Sequence, residues 1–139
     1  MSTDLTSLPT WVLSSAAARS HQMLQAGLAN ASVTGYEYRC LSALAGADRL
    51  SQTELGSAAA LDPRDVTHTV RALEGRGLVA RSKDPGHGRR QWVSLTPEGR
   101  RTADRLGDVM TGIQNAAFAQ LTDAERAILL DLLERVGRA

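Results

Sequence analysis

Residues 61–101 read LDPRDVTHTVRALEGRGLVARSKDPGHGRRQWVSLTPEGRR, and the fold turns on how this run divides. Asp62 and Pro63 form a strong helix start, an N-cap acceptor followed by proline at the first helical position, with Asp65 placed at the third. The spacing predicts a helix to about Arg76, with Gly77 as its C-cap. LVARSK and QWVSLT then have the apolar and β-branched content of short strands, and DPGHGRR between them makes a turn tip carrying two adjacent arginines.

The same cap chemistry recurs on both sides. Ser51 and Glu54 form a capping-box pair opening a helix at about 51–60, whose mostly alanine interior suits close packing on a neighbour. Thr34 and Glu37 repeat the device for a helix at about 34–46. Downstream, Thr96, Pro97 and Glu98 open a long helix to about Gln120, with Leu106, Val109, Met110, Ile113, Ala117 and Phe118 on one side. Thr122 and Glu125 start the last helix, which carries Ile128, Leu129, Leu132, Leu133 and Val136. Residues 11–30 form a helix with a broad, weakly apolar face built on Leu13, Ala17, Ser20, Leu24 and Leu28.

Two short helices joined by a few residues and followed by a hairpin make a winged helix-turn-helix. The expected class is mainly α with a small β-wing (α+β). A single domain of 1–139 comprises a winged module at 34–96, with helices at about 34–46, 51–60 and 62–76 and a wing hairpin at about 78–96, flanked by helices at 8–33 and 97–139. The flanking helices have little inside the chain to cover their apolar faces. Pairing with the same elements of a second copy buries them most simply, so they are expected to be N- and C-terminal dimerisation helices.

A chain of 139 residues has room for one domain. No apolar run approaches a membrane span and no signal-peptide pattern opens the chain, so a soluble cytoplasmic protein without a membrane partner is expected. The single cysteine, Cys40, excludes an internal disulfide and a Cys-rich zinc site. His21, His68 and His87 are scattered without metal-ligand spacing, so neither a metal nor a cofactor is expected. No nucleophile with a supporting base and no glycine-rich phosphate loop is present, which argues against an enzyme. The net charge of +1 hides an asymmetry: residues 62–101 hold nine Lys or Arg against five Asp or Glu, and the remainder seven against ten. A basic segment of this kind suits nucleic acid.

At about 100° per residue, Val66, Val70 and Leu73 share one arc of the 62–76 helix and Arg64, His68 and Arg71 the opposite one, with Thr67 at its edge. In a helix-turn-helix the start of the second helix meets the major groove, where arginine reads guanine. Ser51, Gln52 and Thr53 would lie against the DNA backbone, where hydroxyls and free amides suit a phosphate; for Ser51 simple capping is equally open. Lys83, Arg89 and Arg90 complete the expected contacts, the two arginines aimed at phosphates or a minor groove. Trp92 is expected to pack between wing and helices.

The quoted run is similar to the winged helix-turn-helix signature of the MarR family of bacterial transcription regulators, through the leucine and glycine spacing of VRALEGRGLVAR, the paired Arg89 and Arg90, and the LTPEG that opens the next helix. With its long terminal helices the resemblance covers nearly the whole chain. It implies a homodimer that binds a pseudo-palindromic, inverted-repeat operator on double-stranded DNA, in most members as a repressor, released by a small aromatic or phenolic effector or by thiol oxidation. One departure stands out: the family's wing usually reads Asp-Pro-x-Asp-Arg-Arg, whereas His87 and Gly88 here replace the acid in a tip one residue longer. That leaves open how the roles divide between Arg89 and Arg90.

The resemblance also places an effector pocket between the dimerisation helices and the winged module. Trp11, His21, Tyr36, Tyr38 and Arg39 are candidates to line it, since rings with polar tips suit phenolic or carboxylated ligands. Tyr36, four residues from Cys40, is expected to share its core face. A redox switch at Cys40 is the alternative to a small-molecule effector, but little around it would lower its pKa and a buried inert thiol is the stronger expectation. A winged module that docks to protein is the competing function; the arginine-rich strip at Arg64 and Arg71 speaks against it.

Overall fold

The computed structural model describes residues 4–138. A 3-10 turn at Leu5–Ser7 leads into α1 (Pro9–Asn30), followed by α2 (Gly35–Ala45), β1 (Leu50–Ser51), α3 (Gln52–Ala59), α4 (Pro63–Gly75), β2 (Val79–Lys83), β3 (Gln91–Leu95), α5 (Pro97–Ala117) and α6 (Asp123–Arg135). Every helix after α1 starts where its cap predicts. Reciprocal capping boxes close the N-termini of α2, α3 and α6, and the Asp62 and Thr96 side chains accept from Asp65 and Gly99 amides.

The C-terminus of α4 closes one residue later than glycine capping alone predicts: Arg76 is the cap and Gly77 follows in the left-handed region, φ +74°. The Gly77 and Leu78 amides donate to Glu74 and Leu73 carbonyls, the doubled bond of a Schellman ending. It turns the chain straight into β2. The three-residue connection between α3 and α4 puts Ala60, without glycine's freedom, at φ +56°.

The sheet has three strands rather than the two of a simple hairpin, in the order β1-β3-β2, all antiparallel. Leu50 pairs with Val93 and Ser51 with Trp92. β1 is only two residues long, too short to leave a periodicity in sequence.

One core joins the elements, with Cys40, Leu41, Leu44, Leu55, Val70, Leu73, Val93 and Leu106 all fully buried. Most of it belongs to the winged module; α5 reaches in with Leu106. Gly99, in the first turn of α5, sits so close to β2 that a Cβ there would overlap the Leu78 carbonyl. The terminal helices are different. α6 buries no residue, and Ile128, Leu130, Leu132, Leu133 and Val136 remain exposed, as do Trp11, Val12 and Leu13 on α1. No helix among the described residues is long and apolar enough to cross a membrane.

Candidate nucleic-acid interface

The two arcs of α4 separate as the periodicity predicts. Val66, Val70 and Leu73 are buried, while Arg64, His68 and Arg71 are exposed and, with Asp62, Asp65 and Thr67, border an open groove of about 720 Å³. Thr67 is the more constrained member. Its hydroxyl donates to the Pro63 carbonyl at 2.8 Å and accepts from the Gln52 amide nitrogen at 2.7 Å, a bond that fixes α3 against α4.

A second groove, of about 700 Å³, separates the start of α3 from the wing tip and is lined by Ser51, Gln52, Thr53, Glu54, His87, Arg89, Arg90 and Gln91. Ser51 borders it but is only 6% exposed, its hydroxyl accepting from the Glu54 amide. Its capping role is the one the geometry displays. Hydrogen bonds from the Ser51 amide and hydroxyl hold Glu54 below the usual carboxylate range, with the nearby Arg90 charge adding to the effect. Lys83 is exposed at the end of β2, opposite Gln91, and does not line this groove.

At the tip, Asp84 takes the place of the acid missing at His87 and Gly88. One carboxylate oxygen accepts from the Gly86 amide at 2.9 Å; the other lies 3.8 Å from the Arg90 guanidinium. Arg90 is therefore oriented, and Arg89 is exposed without an ion-pair partner among the described residues.

A third cavity, of about 940 Å³, opens between α1, α2 and α4. It gathers four of the five residues marked as effector contacts, His21, Tyr36, Tyr38 and Arg39, over an apolar floor of Leu24, Leu28 and Val33. Trp11 is not among them: it stands ten residues before His21 on α1, about 15 Å along the axis. His68 lines both this cavity and the groove outside α4.

Two expectations around α2 divide. Tyr36 does not share the core face of Cys40: it is 46% exposed against 0% for the thiol. The cause is its place in the first turn of α2, where the helix projects past the core and Tyr36 meets the Arg39 guanidinium at 5.5 Å from its ring centroid. Cys40 is inert by its surroundings, since burial and then the Glu37 charge push its pKa up to about 11.

A model of the MarR family matches residues 31–90, the heart of the winged module. An HTH-type transcriptional repressor of Mycobacterium tuberculosis is 31% identical over 114 residues, 82% of each chain. The chain belongs to the MarR family. A putative transcriptional regulatory protein for the hcr operon of Thauera aromatica is 33% identical over 106 residues, 76% of this chain but 64% of that protein's length. The PcaV transcriptional regulator from Streptomyces coelicolor, solved in complex with its natural ligand, superposes with a TM-score of 0.80 at 30% identity, covering 98% of this chain and 96% of PcaV. These MarR-family relatives are transcription regulators, in agreement with a DNA-binding winged helix and against an enzyme.

Sequence reasoning passed over three features of the site. Glu37, already spent in a capping box, also meets Arg76 at 3.0 Å. Asp84 orients Arg90, and Arg49 packs on Trp92. The first and last pairings join distant segments and have no local signature. The contact of Asp84 with Arg90 was open to discovery, because both flank one short turn.

Proposed function

We propose that the chain is a homodimeric, sequence-specific DNA-binding repressor that leaves an inverted-repeat operator when a small aromatic or phenolic effector fills the cavity between α1, α2 and α4. The observation that carries the reading is the exposed strip Arg64, His68 and Arg71, set beside a groove in which Gln52 and Thr53 face Arg89 and Arg90. The strip offers donors to base edges, and the groove offers donors and cations to the backbone. Such a protein acts in the cytoplasm, where its operator lies.

Dimerisation is supported by the apolar row along α6 and the start of α1, which is exposed in a single chain. The effector is supported by His21, Tyr38 and Arg39 converging over an apolar floor, a setting suited to a ring bearing a carboxylate or hydroxyl, and by the ligand complex of PcaV. His68, shared by the cavity and the outer groove, and Thr69 and Ala72 beside it give a bound effector direct contact with α4.

The test is selection of bound sequences from a random duplex pool at physiological salt, with the oligomeric state measured by sedimentation. An inverted repeat with half-sites about one helical turn apart, bound by a dimer, is expected. Failure to enrich any sequence, from protein shown to be free of bound small molecules, would redirect the module towards protein docking.

A further inference from the structure

Arg49 lies in the turn between α2 and β1, and its guanidinium carbon stands 4.0 Å from the centroid of the Trp92 ring. The Arg90 guanidinium of the wing tip lies 5.3 Å from the same centroid. Pairing of Ser51 with Trp92 brings these distant parts of the chain together, placing Arg49 at the root of the wing. One indole thus gathers two cations.

Two guanidiniums drawn to one ring repel each other, so the arrangement needs compensating negative charge. Inside the chain the compensation is incomplete. Asp84 reaches Arg90 at 3.8 Å, Glu54 is engaged in its capping box, and Arg49 has no ion-pair partner among the described residues. The Trp92 indole nitrogen is buried without an acceptor, so no hydrogen bond from that nitrogen holds the ring. Arg90 borders the groove at the start of α3, where a phosphate would meet amide donors as well. The complement to this excess of cation is an anion with several oxygens, and on this face it is the phosphodiester backbone.

We propose that Arg49 is a further contact to the DNA backbone, and that Trp92 is the platform that positions Arg49 and Arg90 together for it. The inference rests on the DNA-binding reading above.

The test uses the full chain and a labelled duplex of scrambled sequence, titrated by fluorescence anisotropy over a salt series. Arg49→Ala is expected to reduce the slope of log affinity against log salt by about 0.9, the value for one phosphate. Arg49→Lys, which keeps the charge, retains the slope. Trp92→Leu keeps both cations and is expected to weaken binding several-fold, with recovery in Trp92→Phe. The chain has two tryptophans, so Trp11→Phe leaves Trp92 as sole reporter. Its emission should change on DNA binding, and adding Arg49→Ala should blunt that change. Arg49 is exposed, so its removal should leave the melting temperature intact. An unchanged salt slope in Arg49→Ala overturns the proposal while leaving DNA binding standing. Absence of salt-dependent binding by the parent protein overturns the DNA reading and takes this inference with it.

Discussion

The Glu37 carboxylate receives the Arg76 guanidinium at 3.0 Å, joining the capped start of α2 to the last turn of α4 across 39 positions of sequence. The other Glu37 oxygen accepts from the Thr34 amide, so one side chain closes a helix and anchors the recognition helix to it. Glu37 is 7% exposed, and a carboxylate so placed is costly to leave unpaired.

Arg76→Ala should therefore destabilise the fold by about 1–2 kcal/mol, less than a fully buried pair would because the arginine retains 40% exposure. Glu37→Gln keeps the acceptor for Thr34 and should cost less. Denaturant melts of both single variants and the double variant give the coupling directly. Additive losses would show that the pair contributes nothing beyond its separate members.

The outward strip of α4 and the wing tip should separate by salt dependence. Arg71→Ala is expected to cost roughly 1–3 kcal/mol on the selected operator and to relax sequence preference. Arg89→Ala with Arg90→Ala should weaken binding to all sequences and reduce the salt slope by about 0.9 per phosphate lost. Uniform weakening by Arg71→Ala would reassign it to the backbone.

Two backbone positions make opposite predictions. Ala60 holds a left-handed φ of +56° that glycine adopts without strain, so Ala60→Gly should raise stability by about 1 kcal/mol. Gly99→Ala drives a methyl into the Leu78 carbonyl at the junction of α5 and β2 and should cost about 2–3 kcal/mol. Thermal melts check both. A neutral Gly99→Ala would mean that the start of α5 can slide off β2 at little cost.

Cys40 sets an alkaline limit. Its thiol pKa is raised to about 11 from an ordinary 9.0, so the folded chain holds its proton more tightly than the unfolded chain does. The resulting stability is present below pH 9 and is lost as pH rises through about 11. Cys40→Ala should remove that part of the alkaline slope, and the native thiol should resist alkylation at pH 8, a value about one unit below even the unperturbed pKa. Rapid native-state modification would revive the redox alternative.

Deletion of residues 122–139 removes α6 and its exposed row of Ile128, Leu132, Leu133 and Val136. Loss of dimerisation or of folding is expected in sedimentation and circular dichroism. A stable dimer without α6 would move the interface elsewhere.

The helix starts were legible because their determinants are local. A cap side chain and the amide it accepts from lie three residues apart, and proline at the first helical position acts on its own backbone. The apolar and polar arcs of α4, and the turn at DPGHGRR, follow from the same short-range rules. These features, with the spacing of LTPEG and VRALEGRGLVAR, sufficed to determine the winged module and its order along the chain. What only the tertiary structure decided involves residues far apart in sequence: β1 completing the sheet on β3, Glu37 meeting Arg76, Arg49 meeting Trp92, and His21 on α1 joining Tyr38 on α2 and His68 on α4 around one cavity. Tyr36 marks the boundary between the two kinds of information. Its spacing from Cys40 is helical, but whether it faces core or solvent depends on where the neighbouring helices end, and a single helix does not contain that information.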